Sequence, residues 1–274
     1  MGAVARWLPT PLMKVSALTH VGAAAALAQP ALWPWALGAV VANHAVLATC
    51  SLTPRSHWLG SNWTRLPPAA MRARGIAITI DDGPDPEVTP QVLEQLESRH
   101  ARATFFCVGT QVQRHPELAR EIVRRGHAIE NHSQHHLHSF SLRGPARIRC
   151  EVAEAQDAIA RAAGVTPRFF RAPAGLRNPM LQPVLAEFPL QLASWTRRGF
   201  DTVNRDADDV LRKLSRDLCA GDILLLHDGH AARTARGVPL ILEVLPRLLQ
   251  QIRDTGLLTM TLAQAQDQQS ASGH

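Results

Sequence analysis

The chain has 274 residues, 46% hydrophobic and 19% charged, with 29 basic against 23 acidic residues for a formal net charge of +6. Apolar content at this level excludes a wholly disordered chain, a collagen-like repeat and a small disulfide-stapled scaffold, and the length suits one large domain with an appendage. All basic residues except Lys14 and Lys213 are arginines, spread along a chain with 5% aromatics and no tyrosine. That spread argues against nucleic-acid binding and fits an anionic membrane surface better.

In chain order, residues 12–28 and 31–49 are apolar and separated by Gln29-Pro30. Each run is near the lower limit of about 17–20 residues for a membrane span. An uncleaved anchor, a tight helical hairpin and a surface-lying amphipathic segment all fit, as does a buried pair of soluble helices. A cleaved signal peptide fits less well, because the apolar region is long and has no early A-x-A site. Arg6 and Lys14 before it, and Arg55, Arg65, Arg72 and Arg74 after it, leave the orientation open. Residues 1–53 are therefore read as a membrane-associated helical segment, at the cytoplasmic membrane of a bacterium. Residues 54–74, rich in Pro, Arg and Trp, are read as a juxtamembrane linker.

From residue 75 the pattern becomes regular. Strand-like runs at 75–80, 103–108, 127–131, 168–172, 190–195, 222–227 and 257–262 alternate with helix-like stretches at 88–99, 116–125, 144–163, 178–187, 206–219 and 238–254. Pro116 occupies an N1 position, and Gly126 and Gly164 follow helices where a left-handed glycine belongs. The repeat predicts an α/β fold, a distorted (β/α)7-type barrel over residues 75–262. A polar tail, 263–274, is expected to fray. Cys50, Cys107, Cys150 and Cys219 form no CxxC pair, so neither a zinc ribbon nor a redox motif is present.

In such a barrel the chemistry lies at the C-terminal ends of the strands. Those ends carry Asp81-Asp82, then His132 and His136, Arg171, the loop to Asp201, and His227-Asp228. Singly, each has a bland reading: a helix cap or turn for Asp81-Asp82-Gly83-Pro84, a solvated loop for the histidines, a structural role for His227. Together, one carboxylate and two histidines spaced i, i+4 make a facial metal-ligand set with open positions. Zinc is the default ion, and iron(II), cobalt or nickel also suit these donors.

Four ordered motifs then resemble the polysaccharide deacetylase family, the NodB-homology domain of carbohydrate esterase family 4. TIDDGP (79–84), HSQHH (132–136), RAPAG (171–175) and LLLHD (224–228) match its patterns in order and spacing. Its Asp-x-x-Asp-Trp segment is altered: Asp201 takes the place of the second Asp, whereas Arg198 and Thr202 replace the first Asp and the Trp. Ala174 also replaces a commonly aromatic residue. The resemblance implies Asp82, His132 and His136 as metal ligands, Asp81 as general base supported by Arg171, and His227 as general acid with its pKa raised by Asp201. It further implies the Ala174 backbone N–H as oxyanion donor and Leu225 as part of the acyl pocket.

The resulting expectation is a metal-dependent hydrolase that removes N-acetyl groups from an N-acetylated sugar and releases acetate. The lost groove aromatics tilt the substrate toward a smaller or lipid-linked sugar. A catalytically silent, membrane-anchored carbohydrate-binding module is the rival from another class, and a structural membrane protein a weaker third.

Overall fold

Seven consecutive buried residues, Gly75–Asp81, form β1, and the rest of the sheet is built outward from them. Strand alternation sends Ile76, Ile78 and Ile80 to one face and Ala77, Thr79 and Asp81 to the other. In the computed structural model, which describes residues 7–272, the isoleucines pack under helices, among Leu93, Leu96, Val244 and Leu248. Ala77 joins Phe106, Phe169, Trp195 and Leu225 inside the curl of the sheet. Thr79 and Asp81, on that same interior face, are thereby directed to the site.

The helices α1 (Pro11–Ala26), α2 (Trp33–Ser51) and α3 (Pro68–Arg72) precede β1. The sheet then alternates with helices: α4 (Thr89–Glu97), β2 (Ala103–Cys107), α5 (Gly109–Arg114), α6 (Pro116–Arg124), β3 (Ala128–Asn131), α7 (Pro145–Ala163) and β4 (Phe169–Phe170). The second half runs α8 (Leu181–Glu187), β5 (Gln191–Leu192), β6 (Arg197–Arg198), α9 (Ala207–Ser215), β7 (Ile223–His227), α10 (Leu240–Asp254), β8 (Leu258–Thr259) and α11 (Leu262–Ala271). Strand order is β5-β4-β3-β2-β1-β7-β6, with β8 paired to the start of β1, and every pairing is parallel. The α/β barrel expected from the sequence is thus a curled parallel half-barrel. Gly126 (φ 79°) and Gly164 (φ 71°) take the left-handed conformation expected after α6 and α7.

Three features differ from the sequence reading. First, residues 54–66 are packed into the domain. Trp63 bridges Ala193 beyond β5, its N–H donates to the Leu192 carbonyl (2.8 Å), and its own carbonyl accepts from the Ser194 N–H (2.9 Å). Thr196 Oγ1 donates to the Thr64 carbonyl (2.7 Å), and Leu59 and Leu66 are buried. This segment fills the seam between the two edge strands, which a run of Pro, Arg and Trp does not advertise. Second, the polar tail is helical: Thr261 and Gln264 form a reciprocal capping box, and Leu262 and Ala265 are buried. The cap satisfies amide donors that would otherwise favour fraying. Third, β6 is an unanticipated strand of two residues beside β7.

The apolar N-terminal region forms a hairpin, α1 against α2. Only Ser16 is buried in α1 and no residue is buried in α2. Among the described residues one helical stretch, Pro30–Ser51, has the length and apolarity to cross a membrane, with a mean hydropathy of 1.4.

If the seam segment belongs to the folded domain, Leu66→Ala should cost about 2–5 kcal/mol of unfolding free energy, as core truncations do. Urea denaturation followed by circular dichroism measures this, and an unchanged midpoint would reduce residues 54–66 to a tether.

Candidate active site

The parallel register brings the site residues together before any side chain is considered. Asp81 is paired with His227 across β1 and β7, and Asn131 with Phe170 across β3 and β4. His132 and Arg171 each lie one residue beyond that second pair. The chain is strained around these strand ends: Asp82, Ser133, His136, Ala174 and His230 all have positive φ. Such conformations cost a non-glycine residue about 1–2 kcal/mol each and cluster at functional sites. Space is equally tight. A Cβ on Gly83 would lie 2.5 Å from Asp228 Oδ2, and one on Gly229 would lie 2.5 Å from the Asp82 carbonyl.

Arg171 is buried behind the site. Its Nη1 donates to Asp81 Oδ1 (2.7 Å) and Thr79 Oγ1 (2.8 Å), its Nη2 to the Ser194 carbonyl (2.7 Å) and its Nε to the Ala193 carbonyl (3.2 Å). The Arg171 carbonyl accepts from His132 Nδ1 (2.8 Å). That bond fixes the tautomer and turns Nε2 toward the carboxylates.

Asp82, His132 and His136 each offer one donor atom, all within 4.8 Å of one another, a set that could hold a metal ion. Both imidazole Nε2 atoms approach Asp82 Oδ1, at 3.3 Å from His132 and 3.2 Å from His136. Asp82 Oδ1 is itself buried without a hydrogen-bond partner. An orphaned carboxylate oxygen facing two ring nitrogens fits a cation between them. Burial opposes the charge on Asp82, but the His132 and His230 ring nitrogens beside it and the positive potential of His132 and His227 hold its carboxyl far below the usual range. Burial above all pushes His136 down to about 4, which favours the neutral ring that a metal ligand needs.

His227 has the opposite environment. Its Nδ1 lies 2.8 Å from Asp201 Oδ1, and its backbone N–H donates to Asp201 Oδ2 (2.8 Å). Burial pulls its pKa down, yet the charge and hydrogen bond of Asp201, with Asp81 and Asp82 beyond, push it up to about 9. At neutral pH it is a cation, and with Nδ1 engaged it has Nε2 left for a ligand.

These groups line a cavity of about 580 Å³ that also includes His135, His138, Ala174, Trp195, Arg198, Thr202, Leu225 and His230. All nine residues singled out from sequence converge here: seven line the cavity, and Arg171 and Asp201 support it from behind. Two further residues, named from sequence but given no role in the reaction, join the nine. His230 Nδ1 stands 3.5 Å from Asp82 Oδ2, its ring stacked near His136. Asp228 accepts from Thr89 Oγ1 (2.5 Å) and from the Gly229 N–H (2.9 Å), and burial pushes its pKa up to about 7. The run HDGH held the signal for both, but only the turn after β7 brings His230 back over Asp82. His135 is drawn away from the cluster by Glu151, at 3.0 Å.

A parallel half-barrel that gathers paired carboxylates, a cationic imidazole and a three-donor cluster in one pocket at its strand ends has the layout of a hydrolase. The polysaccharide deacetylase family model matches residues 69–193. A peptidoglycan-N-acetylglucosamine deacetylase of Bacillus cereus is 35% identical over 178 residues, covering 64% of this chain and 82% of that one. A chitooligosaccharide deacetylase of Bradyrhizobium is 35% identical over 158 residues, covering 57% and 72%. Among solved structures, a family 4 carbohydrate esterase from Streptomyces lividans in complex with acetate superposes with a TM-score of 0.61 at 33% identity, covering 67% of this chain and 90% of that chain. The chain belongs to the polysaccharide deacetylase family, carbohydrate esterase family 4.

Asp201→Asn removes the charge that keeps His227 protonated. Its imidazole titration midpoint should fall from about 9 to near or below the ordinary 6.5, as followed by NMR. A midpoint that does not move would dissociate Asp201 from the protonation of His227.

Proposed function

We propose that this protein is a metal-dependent N-deacetylase of N-acetylglucosamine-type sugars in a glycan or glycan precursor, cleaving the acetamide to acetate and a free amine. The observation that carries the reading is the pairing of opposites in one pocket: Asp81 held by Arg171 at 2.7 Å, and His227 held by Asp201 at 2.8 Å. The names of the two relatives above support the same chemistry.

Asp82, His132 and His136 would hold the metal, zinc being the default. When bound, a divalent ion acidifies water and polarises a carbonyl. The chain's own residues then divide the work. Asp81 accepts the proton of the attacking water, while Arg171 keeps its carboxylate fixed and compensated. The Ala174 backbone N–H, in the left-handed turn Pro173–Gly175, donates to the oxyanion that develops as water adds. Leu225 takes the acetyl methyl against the cavity wall. His227 donates its proton to the departing nitrogen, so the C–N bond breaks with a neutral amine leaving.

The exposed hairpin is proposed to lie in the bilayer. At about 1.5 Å per residue the stretch Pro30–Ser51 reaches about 30 Å, the hydrocarbon thickness. Trp33 and Trp35 sit exposed near its turn and Trp58 beyond its other end, as interfacial aromatics do. The polar side chains face each other across the helix seam: Asn43 Nδ2 donates to Ser16 Oγ (3.0 Å), and the His20 and His44 rings are 5.2 Å apart.

Acetate release from N-acetylglucosamine oligomers by the zinc-loaded protein tests the reaction. Asp81→Asn should lose about 10²–10⁴-fold in kcat, as expected for removal of a general base. His132→Ala, or a chelator, should abolish turnover. Full activity in both variants would sink the mechanism. For the hairpin, the full chain should float with phospholipid vesicles in a density gradient, whereas residues 54–274 should remain below. Equal behaviour of the two would remove the membrane reading.

A further inference from the structure

The cavity contains one charge that the deacetylation chemistry does not use. Among the described residues, Arg198 is the only arginine or lysine lining it. In the register Arg198↔Leu225↔Thr79 it completes the cross-strand row directly below the row of Asp81 and His227. Its neighbour Arg197 is already engaged, Nε to Asp222 Oδ2 at 2.6 Å and Nη2 to the Asp217 carbonyl. Arg198, by contrast, makes no ion pair and no side-chain hydrogen bond among the described residues, and its Nε is buried without a partner.

Two aromatic rings flank it instead. The guanidinium carbon lies 5.5 Å from the Trp195 ring centroid and 5.1 Å from that of Phe200. These cation–π contacts bias where the guanidinium sits and use none of its N–H donors. A preorganised guanidinium with unspent donors in a partly enclosed cavity is a receptor for an oxyanion, which it can meet with two parallel hydrogen bonds.

We propose that Arg198 binds an oxyanion, phosphate or carboxylate, carried on the sugar next to the acetamide, so that the preferred substrate is an anionic N-acetylated sugar and not a neutral oligomer. This rests on the deacetylase reading and adds a specificity determinant to it. The source of a phosphate can be soluble or lipid-borne, because the same wall meets the foot of the hairpin. Ser194 Oγ donates to the Pro54 carbonyl (2.6 Å), Arg55 Nη1 donates to the Thr196 carbonyl (3.1 Å), and Pro54 abuts Gly175 beside Trp195.

Binding of products decides the anion site without turnover. Calorimetry on the full chain in detergent would compare glucosamine, glucosamine 1-phosphate and muramic acid. At least one of the anionic ligands should bind about tenfold or more tighter than glucosamine. Arg198→Gln should erase that preference, and Arg198→Lys, which keeps the charge but not the paired donors, should retain only part of it. Equal binding of all three by the wild type, or a preference that survives in Arg198→Gln, would overturn the proposal. Turnover separates the sources: N-acetylglucosamine 1-phosphate in solution against N-acetylglucosamine on a polyprenyl phosphate in vesicles, each relative to the neutral tetramer. The anionic-to-neutral ratio of kcat/KM should fall about tenfold in Arg198→Gln for whichever source is used. A ratio that does not change means that Arg198 only packs against Trp195. Failure of every substrate, with the binding preference intact, would count against the deacetylase reading and leave the anion site standing.

Discussion

The buried guanidinium of Arg171 is the contact on which the half-barrel and its site both depend. It joins the interior face of β1, through Thr79 and Asp81, to the chain leaving β5, through the Ala193 and Ser194 carbonyls. It also lies 4.1 Å over the Phe106 ring on β2. A charge buried this deeply is tolerated only because its donors are matched and a carboxylate answers it. Removing one partner of such a pair costs about 3–5 kcal/mol. Its backbone carbonyl orients His132, so one residue aligns the base, a candidate metal ligand and the strand ends that hold them.

Around that centre the protein maintains two electrostatic environments a few ångströms apart. Asp82 is drowned in positive potential from histidines, and His227 is flanked by carboxylates. Two buried acids have a structural part instead. Glu130 accepts the N–H groups of Arg168 and Phe169, both at 2.7 Å, where β3 and β4 share a single register pair. Burial pushes its pKa up to about 8 against those two bonds. Asp228 fastens the turn after β7 to Thr89 at the start of α4. Short strands are thus held in position by side chains where the ladder is too brief to do so.

Much of this was legible in the sequence because periodicity and strand-end chemistry are local signals. The run GIAITIDD announces a strand buried on both faces that ends in two acids, and the motifs HSQHH, RAPAG and LLLHD point to the cavity in chain order. What escaped notice depends on contacts distant in sequence. Residues 54–66 carry no strand pattern, since only the edge of β5 gives Trp63 a partner. The two-residue strand β6 is defined by its neighbour β7 and not by its own propensity. The QAQDQQ tail was polar enough to suggest fraying, yet a capping box and two small apolar contacts order it. His230 was visible as a residue but not as a neighbour of Asp82, because a reversal of the chain separates the two readings.

The seam segment also has a temporal consequence. Trp63, Thr64 and Leu66 are synthesised early, but their partners are Leu192, Ser194, Thr196 and Gly221, more than 120 residues later. During synthesis the sheet can grow from β1 through β4 while its first apolar anchor waits without a mate. Non-local pairings of this kind slow folding and prolong the exposure of sticky surface. The protein's vulnerable period therefore comes late on the ribosome, before β5 to β7 emerge, when the seam and the β7 side of β1 are both still open.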